Sequence, residues 1–431
     1  MTLGEVLIGF GAMMALLFAG LPIAVIMVAL GVAGGVMLYG LPLLQSMGPV
    51  IWGVQNENIL TAIPLFVLLG ELLLRSGIAD RMYGTLALWL GRLPGGLLHT
   101  NIGCCALFAA TSGSSVATAA TVGTVALPAL EQRGYSPSRA LGSLAAGGTL
   151  GILIPPSVNL LVYGSLANVS IGQLFIAGIV PGVLLTLSFM AFIAVQGLIG
   201  GDVAQDARVP LAERLAALRH LVPPAIIFLV VMGSIYLGIA TPTESAALAV
   251  MTALGFVWRA GRLDLAFLDI CFRQTAKTSG MILLIITAAF TLNVTLALGG
   301  VAQTMTAWVA SFGLPPFGLL SALIVFYLLL GMFMDVLSMQ VLTIPIALPI
   351  VTAAGVDPVW FGVFVVLMCE LGMITPPVGM NLYVVHSVRG DGGPFSDVVL
   401  GALPYALIMI AFTLLLMLAP DLALWLPRNM T

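Results

Sequence analysis

The sequence predicts an all-α, polytopic membrane protein built from two inverted-topology repeats, each with a re-entrant helical hairpin and a proline-broken transmembrane helix. Three observations carry this: a composition too apolar for a water-soluble globule, a pattern of prolines that occurs twice, and basic residues confined to alternate loops.

Of 431 residues, 61% are hydrophobic and 7% charged, against about 25% charged in a typical soluble domain. Mean hydropathy is +1.17. Apolar runs long enough for a ~30 Å hydrocarbon core recur along the whole chain, so a cleaved leader cannot account for them. The net charge of −3 comes from scattered residues with no basic tract, which sets nucleic acid aside as a partner. Cys104, Cys105, Cys271 and Cys369 lack metal or disulfide spacing and read as small hydrophobes. His99, His220 and His386 fall in no metal or nucleophile motif, so no cofactor is expected.

The repeat is visible in the prolines. Pro128, Pro137, Pro155 and Pro156 are matched by Pro349, Pro358, Pro376 and Pro377, each pair 221 residues apart, and Gly151 and Gly372 fall in the same register. With 25 prolines in the chain, composition does not explain the match. The first repeat, 1–210, then has apolar segments at about 4–19, 22–39 and 59–75 and a polar-edged stretch 76–93. A hairpin follows at about 94–133, a broken helix at about 137–166 and a long helix at 171–197. The second repeat, 211–431, has segments 222–239, 242–258, 278–298 and 299–314, a hairpin at about 316–355, a broken helix at about 358–387 and a final span 397–420.

Counting each hairpin as entering and leaving on one side gives each half five crossings, an odd number, so the second half is inverted. With both termini outside, Arg75, Arg81, Arg92, Arg133, Arg139, Arg208, Arg214, Arg219, Arg259, Arg262, Arg273, Lys277 and Arg389 are cytoplasmic and only Arg428 is outside. That is the positive-inside bias. The outer face then includes the loop 39–58 and the arm 299–315, with Trp52 and Trp308 as docking or lipid-anchoring side chains.

Chemistry is expected at the breaks. Pro155 and Pro156 remove two amide donors and clash with the preceding turn, freeing carbonyls beside Ser157 and Asn159. Irregular backbone at membrane depth is tolerated where it is buried or lines a cavity, and hard oxygen ligands suit a small cation such as Na⁺. The segment from Gly372 repeats the arrangement with Thr375, Pro376, Pro377, Gly379 and Asn381. At the first hairpin tip, Ser112, Ser114 and Ser115 flank Gly113 as candidate ligands, while Thr118, Thr121 and Thr124 suit packing or ligation equally. At the second, Asp335 is an ionisable group among apolar residues, expensive in a membrane and functional by default. Glu71 pairs with Arg75 one turn away, and Glu244 caps its helix after Thr241. Glu370 has no local partner, and proton relay and scaffold hydrogen bond both stay open for it.

Five stretches resemble one family: TSGSSVATAATVGTVALPAL from Thr111, GTLGILIPPS from Gly148, GIATPTESAA from Gly238, GMFMD from Gly331 and ITPPVGMNLYV from Ile374. Together, and over essentially the whole chain, they resemble the large membrane subunit of the TRAP (tripartite ATP-independent periplasmic) transporters. The resemblance implies an elevator-type carrier of the bacterial inner membrane, driven by Na⁺ as coupling ion. Its partners would be a separate small four-helix membrane subunit and a periplasmic substrate-binding protein delivering a small organic acid. It puts the Na⁺ and substrate positions in Ser112–Ser115 with Gly151–Asn159, including Pro155, and in Gly331–Ser338 with Gly372–Asn381.

The nearest rival is a Na⁺/divalent-anion symporter that needs no binding protein. An intramembrane hydrolase using Ser114 or Ser115 lacks a histidine in the same element and leaves the duplicated prolines unexplained, so an enzyme is not expected.

Overall fold

The computed structural model describes residues 1–200 and 209–429. Arg208, assigned above to the cytoplasmic side, lies outside the described residues. Those residues form helices and connections with no β-strand.

The chain opens with α1 (Leu3–Phe18), α2 (Ile23–Tyr39) and α3 (Pro42–Gln55). A single 3₁₀ turn at Asn58–Thr61 leads into α4 (Ala62–Arg75), and α5 (Ile78–Leu90) follows. The first hairpin is α6 (Leu97–Ser112) and α7 (Ser115–Gln132). The first broken helix is α8 (Pro137–Gly148), α9 (Leu150–Leu153) and α10 (Val158–Ala167), and the long α11 (Ile171–Gly200) follows it.

Beyond the connection, α12 (Leu211–Ala217), α13 (Val222–Phe228) and α14 (Ser234–Tyr236) form one near-continuous helix with a π turn at Leu229–Gly233. Then come α15 (Pro242–Arg259), α16 (Leu265–Leu298) and α17 (Val301–Ala310). The second hairpin is α18 (Pro316–Gly331) and α19 (Val336–Ala353), and the second broken helix is α20 (Pro358–Met373) and α21 (Met380–Ser387). The chain closes with α22 (Ser396–Leu418) and α23 (Asp421–Arg428). Among the described residues, six helices are long and apolar enough to cross a bilayer, seven if the pair bent by 43° around Pro155 counts as one span.

Two sequence expectations are corrected. Residues 39–58, read as a loop, are mostly α3. Pro42 occupies its first turn, where a missing amide costs nothing, and Gln55 Nε2 donates to Thr287 Oγ1 of α16 at 2.5 Å. α16 also begins 13 residues before the expected 278. At ~1.5 Å per residue it is ~51 Å long against a ~30 Å core, and its first turns carry Asp269, Arg273 and Lys277.

Side-chain contacts fix the two ends of the bundle. At one end the amino-terminal ammonium donates to Gly299 O, Thr304 Oγ1 to Met1 O at 3.0 Å and the Tyr39 hydroxyl to Leu298 O. At the other, Thr85 Oγ1 donates to Ala217 O at 3.2 Å, Trp89 Nε1 to Arg214 O at 3.2 Å and Arg92 Nη2 to Val209 O at 3.3 Å. Between these ends α4 and α15 run in the same direction. Thr243 Oγ1 bonds Asn58 O at their starts, and Gly77 lies against the Arg262 guanidinium past their ends. Arg75, Arg92, Arg214 and Arg262 therefore share the end opposite Met1.

Helices apolar on every side belong in the interior, and α20 is the clearest case: every residue from Trp360 to Met373 is buried. α8 is similarly encased from Ala140 to Gly148, and glycine lets it approach α22 closely. A Cβ at Gly142 would stand 2.2 Å from the Gly401 carbonyl carbon, so backbone itself would have to move. Overpacking of this kind costs about 1–3 kcal/mol. Gly142→Ala is therefore expected to lower the thermal midpoint of the detergent-solubilised protein. Gly255→Ala, where a Cβ meets nothing within 4 Å, leaves it unchanged or slightly raised. Equal midpoints for the two variants would remove the α8–α22 glycine contact as a packing determinant.

Candidate functional site

Each hairpin tip lies against a helix break. In the first half, Gly113 ends α6 in the left-handed region at φ +63°, so the chain reverses within two residues. A Cβ there would fall 2.8 Å from Pro156 O, and one at Gly151 would fall 2.7 Å from Ser114 O. Tip and break thus touch through backbone on both sides. Ser114 caps α7, its hydroxyl accepting from Ala117 N at 3.4 Å, and Ser112 Oγ shares a 3.0 Å hydrogen bond with Thr118 Oγ1. Past the break, Ser157 caps α10 by accepting from Leu160 N at 3.3 Å, and Asn159 is buried in the first turn.

The prolines set the chemistry of this contact. Gly151 O and Ile152 O stand four residues before Pro155 and Pro156, which have no amide hydrogen to give them. The glycine closest to the tip therefore also carries one of the carbonyls that the helix leaves free.

The second half repeats the plan. Gly331 ends α18 and Gly372 lies in the last turn of α20, and a Cβ on either would stand 2.6 Å from the other's Cα. Val378 N donates to Met332 O at 3.2 Å, joining break to tip. Gly379 has φ +55°, where a Cβ would meet Thr375 O at 3.0 Å. Thr375 Oγ1 donates back to Leu371 O at 2.7 Å.

Asp335 caps α19, accepting from Leu337 N at 3.1 Å, from Ser338 N at 3.2 Å and from the Ser338 hydroxyl. A carboxylate at a helix N-terminus is favoured by the amide donors and the helix dipole. That gives the half-buried acid a structural reason to stay, alongside any ligand it takes.

The two halves do not keep to themselves. Asn381, expected to serve the second break, is fully buried, and its Nδ2 lies 3.1 Å from where a Gly148 Cβ would stand, in the first half. Neither amide atom has a protein partner. Glu370, which the sequence reading did not place in the site, is fully buried and accepts the Ser115 hydroxyl across 255 residues. The signal for it was present: an ionisable group inside a span, two residues before Gly372, without a local partner.

The other acids behave as their local sequence says. Glu71 accepts from Arg75 Nε at 2.9 Å, and Glu244 with Thr241 forms a capping box.

The ligand atoms at both contacts are oxygens, from freed carbonyls and hydroxyls, with the Asn159 amide at the first and the Asp335 carboxyl group at the second. Oxygen donors suit hard cations and offer nothing to a soft metal. Paired hairpin tips and broken helices inside an apolar bundle define a polytopic membrane transporter.

Residues 10–422 match the family described as "Tripartite ATP-independent periplasmic transporter, DctM component", and the chain belongs to that family of large permease subunits. It is 35% identical over 406 residues to the C4-dicarboxylate TRAP transporter large permease protein DctM of Pseudomonas aeruginosa, covering 93% of this chain and 94% of that one. It is 28% identical over 423 residues to the ectoine/5-hydroxyectoine TRAP transporter large permease protein UehC of Ruegeria pomeroyi, covering 97% of each. Among solved structures, the YdaH transporter of Alcanivorax borkumensis shares the fold, with a TM-score of 0.61 at 16% identity over 94% of this chain and 97% of that one. The protein is thus a transporter permease rather than an enzyme, of a family that works with a small membrane subunit and a periplasmic binding protein.

Asp335 separates capping from charge. Asn caps as well as Asp, whereas Ala costs about 0.5–2 kcal/mol at such a position. Asp335→Ala is expected to lower the thermal midpoint and Asp335→Asn to keep it. An uptake defect in the Asn variant at full stability would show that the charge serves transport, and equal destabilisation of both would refute the capping account.

Proposed function

We propose that this permease carries out Na⁺-coupled uptake of a small organic acid, handed over by a periplasmic binding protein, across the bacterial inner membrane. The carrying observation is the pair of tip-and-break contacts, each with glycine at the point of closest approach and a proline pair that leaves carbonyls without an amide donor, Gly151 O and Ile152 O at the first and Met373 O at the second, where Gly372 O is taken by Thr375 N. Two such oxygen-lined contacts support two cation sites, with substrate between the tips. Ser112–Ser115 with Gly151–Asn159 form one, and Gly331–Ser338 with Gly372–Asn381 the other.

The order hairpin, broken helix, long helix occurs twice, and we take the halves as inverted repeats, 1–210 and 211–431. The hairpins and broken helices move together as an elevator against α4, α15 and α16. The termini lie on the periplasmic side. Clustering of basic side chains at the end opposite Met1 supports that orientation.

The DctM and UehC names print a dicarboxylate and ectoine as cargo, and both compounds bear a carboxylate. That common group supports an acid as substrate here, with the choice among acids made by the binding protein.

Reconstituted in liposomes with its small subunit, the protein is expected to take up substrate only when loaded binding protein is outside and Na⁺ is directed inward. Asn159→Ala and Asn381→Ala raise the half-saturating Na⁺ concentration at normal expression. Uptake that is unchanged in K⁺, or robust uptake of free substrate without a binding protein, rejects the corresponding part of the reading. For orientation, in a cysteine-free background, cysteine at exposed Ala310 reacts with an impermeant thiol reagent added to intact cells, and cysteine at exposed Ala266 does not. The reverse pattern inverts the topology.

A further inference from the structure

Glu370 is the only acidic residue within α8–α10 and α20–α21, and its side chain joins the two halves. Its Oε1 accepts the hydroxyl of Ser115, the first residue of α7. Ser115 in turn lies against the first break: a Cβ at Gly151 would be 2.7 Å from Ser115 Cα. Two residues beyond Glu370, Gly372 meets Gly331 of the second tip backbone to backbone. The chain Gly151, Ser115, Glu370, Gly372, Gly331 thus runs from one tip-and-break contact to the other through buried atoms in direct contact.

The surroundings say which property of Glu370 is used. α7, α9, α18 and α19 carry no Lys, Arg or His, so no base pairs with the carboxyl group, and a lone buried charge is costly. Its other oxygen, Oε2, has no protein partner. What the geometry uses is an acceptor at Oε1, which a glutamine amide oxygen supplies equally well.

We infer that Glu370 is a positioning residue that couples the two cation sites: filling one fixes its tip against its break and, through the Ser115 hydrogen bond, favours closure of the other. This rests on the Na⁺ reading above. Both sites then bias one shared element, so their affinities are linked reciprocally.

The test is the Na⁺ dependence of initial uptake in proteoliposomes holding permease, small subunit and loaded binding protein. Wild type is expected to be sigmoidal. In Glu370→Ala the Hill coefficient falls toward one and half-saturating Na⁺ rises about fivefold or more, in the range usual for coupled sites, while the maximal rate at saturating Na⁺ is kept. Glu370→Gln retains the sigmoidal curve. Ser115→Ala removes a ligand of the first cation site as well as the hydrogen bond, so its half-saturating Na⁺ rises further than in Glu370→Ala while its Hill coefficient falls to the same value. The double variant has the Hill coefficient of either single one, as expected for two ends of one hydrogen bond.

A glutamine variant as impaired as the alanine one would show that charge is required and would overturn the proposal. So would a further fall of the Hill coefficient in the double variant, or an unchanged Hill coefficient in Glu370→Ala. Wild-type uptake independent of Na⁺ rejects the sodium reading and the coupling together, whereas Na⁺-dependent uptake with an unchanged alanine variant rejects the coupling alone.

Discussion

A proline pair in the middle of a membrane helix leaves carbonyls that hydrocarbon cannot satisfy, and much of this architecture follows from where those carbonyls are put. Lipid-exposed irregular backbone is not viable, so each break must be enclosed by protein or line a wet cavity; the first is buried apart from half-buried Ile154, whereas the second leaves Pro377 and Val378 exposed. Each is faced by a hairpin tip, and α20, which leads into the second break, has every residue from Trp360 to Met373 buried. Glycine at Gly151, Gly331 and Gly372 lets backbone meet backbone, which larger side chains would prevent. The same closeness that hides the carbonyls from lipid gathers them into a compact set of oxygen ligands.

Charge is handled by position. Ion pairs stand toward the ends of helices, as with Arg75 and Glu71 or Arg428 and Asp421. Arg389, after α21, is held by Asp391 and Asp397 and donates to Pro394 O at 3.1 Å, bracing the turn into α22. The Arg389 hydrogen bond, helped by Gly393 N–H, pulls the Asp391 carboxyl down to about 2. A carboxyl lowered in this way contributes above its ordinary range and loses that contribution as pH falls toward about 2. The Arg389–Asp391 pair is thus ionised at neutral pH. Deeper in the bundle the acids take hydrogen bonds instead, Asp335 from a helix terminus and Glu370 from Ser115.

Local chemistry was legible in the sequence and cross-chain chemistry was not. Prolines and glycines mark the hairpins and breaks because their backbone consequences are intrinsic, and the helix capped by Thr241 and Glu244 begins where its capping box says. The Glu71–Arg75 pair is likewise an effect of helical spacing. Helix α3 was missed because Pro42, Gly48, Pro49 and Gly53 resemble a loop when read without the α2 and α16 surfaces it packs on. Asn381 was assigned to its own break, yet its side chain turns to Gly148, and the Ser115–Glu370 bond spans 255 residues. No periodicity encodes a contact at that separation. Only the absence of a local partner for Glu370 hinted that one lay elsewhere.

The distribution of charge also bears on why this transporter would need cations at all. An anionic solute between the tips would face α7, α9, α18, α19 and α20, none of which carries Lys or Arg. Nor does the carboxyl group at the second tip, Asp335 capping α19, supply a positive charge. Carrying an uncompensated anion through the low-dielectric core is prohibitive, so the balancing charge has to come from outside the polypeptide. Freed carbonyls and hydroxyls beside each tip are where monovalent cations would supply it. A tie between the two contacts made of a hydrogen bond then has a physical advantage over a salt bridge: it can transmit closure from one site to the other without a buried base that would repel the ions.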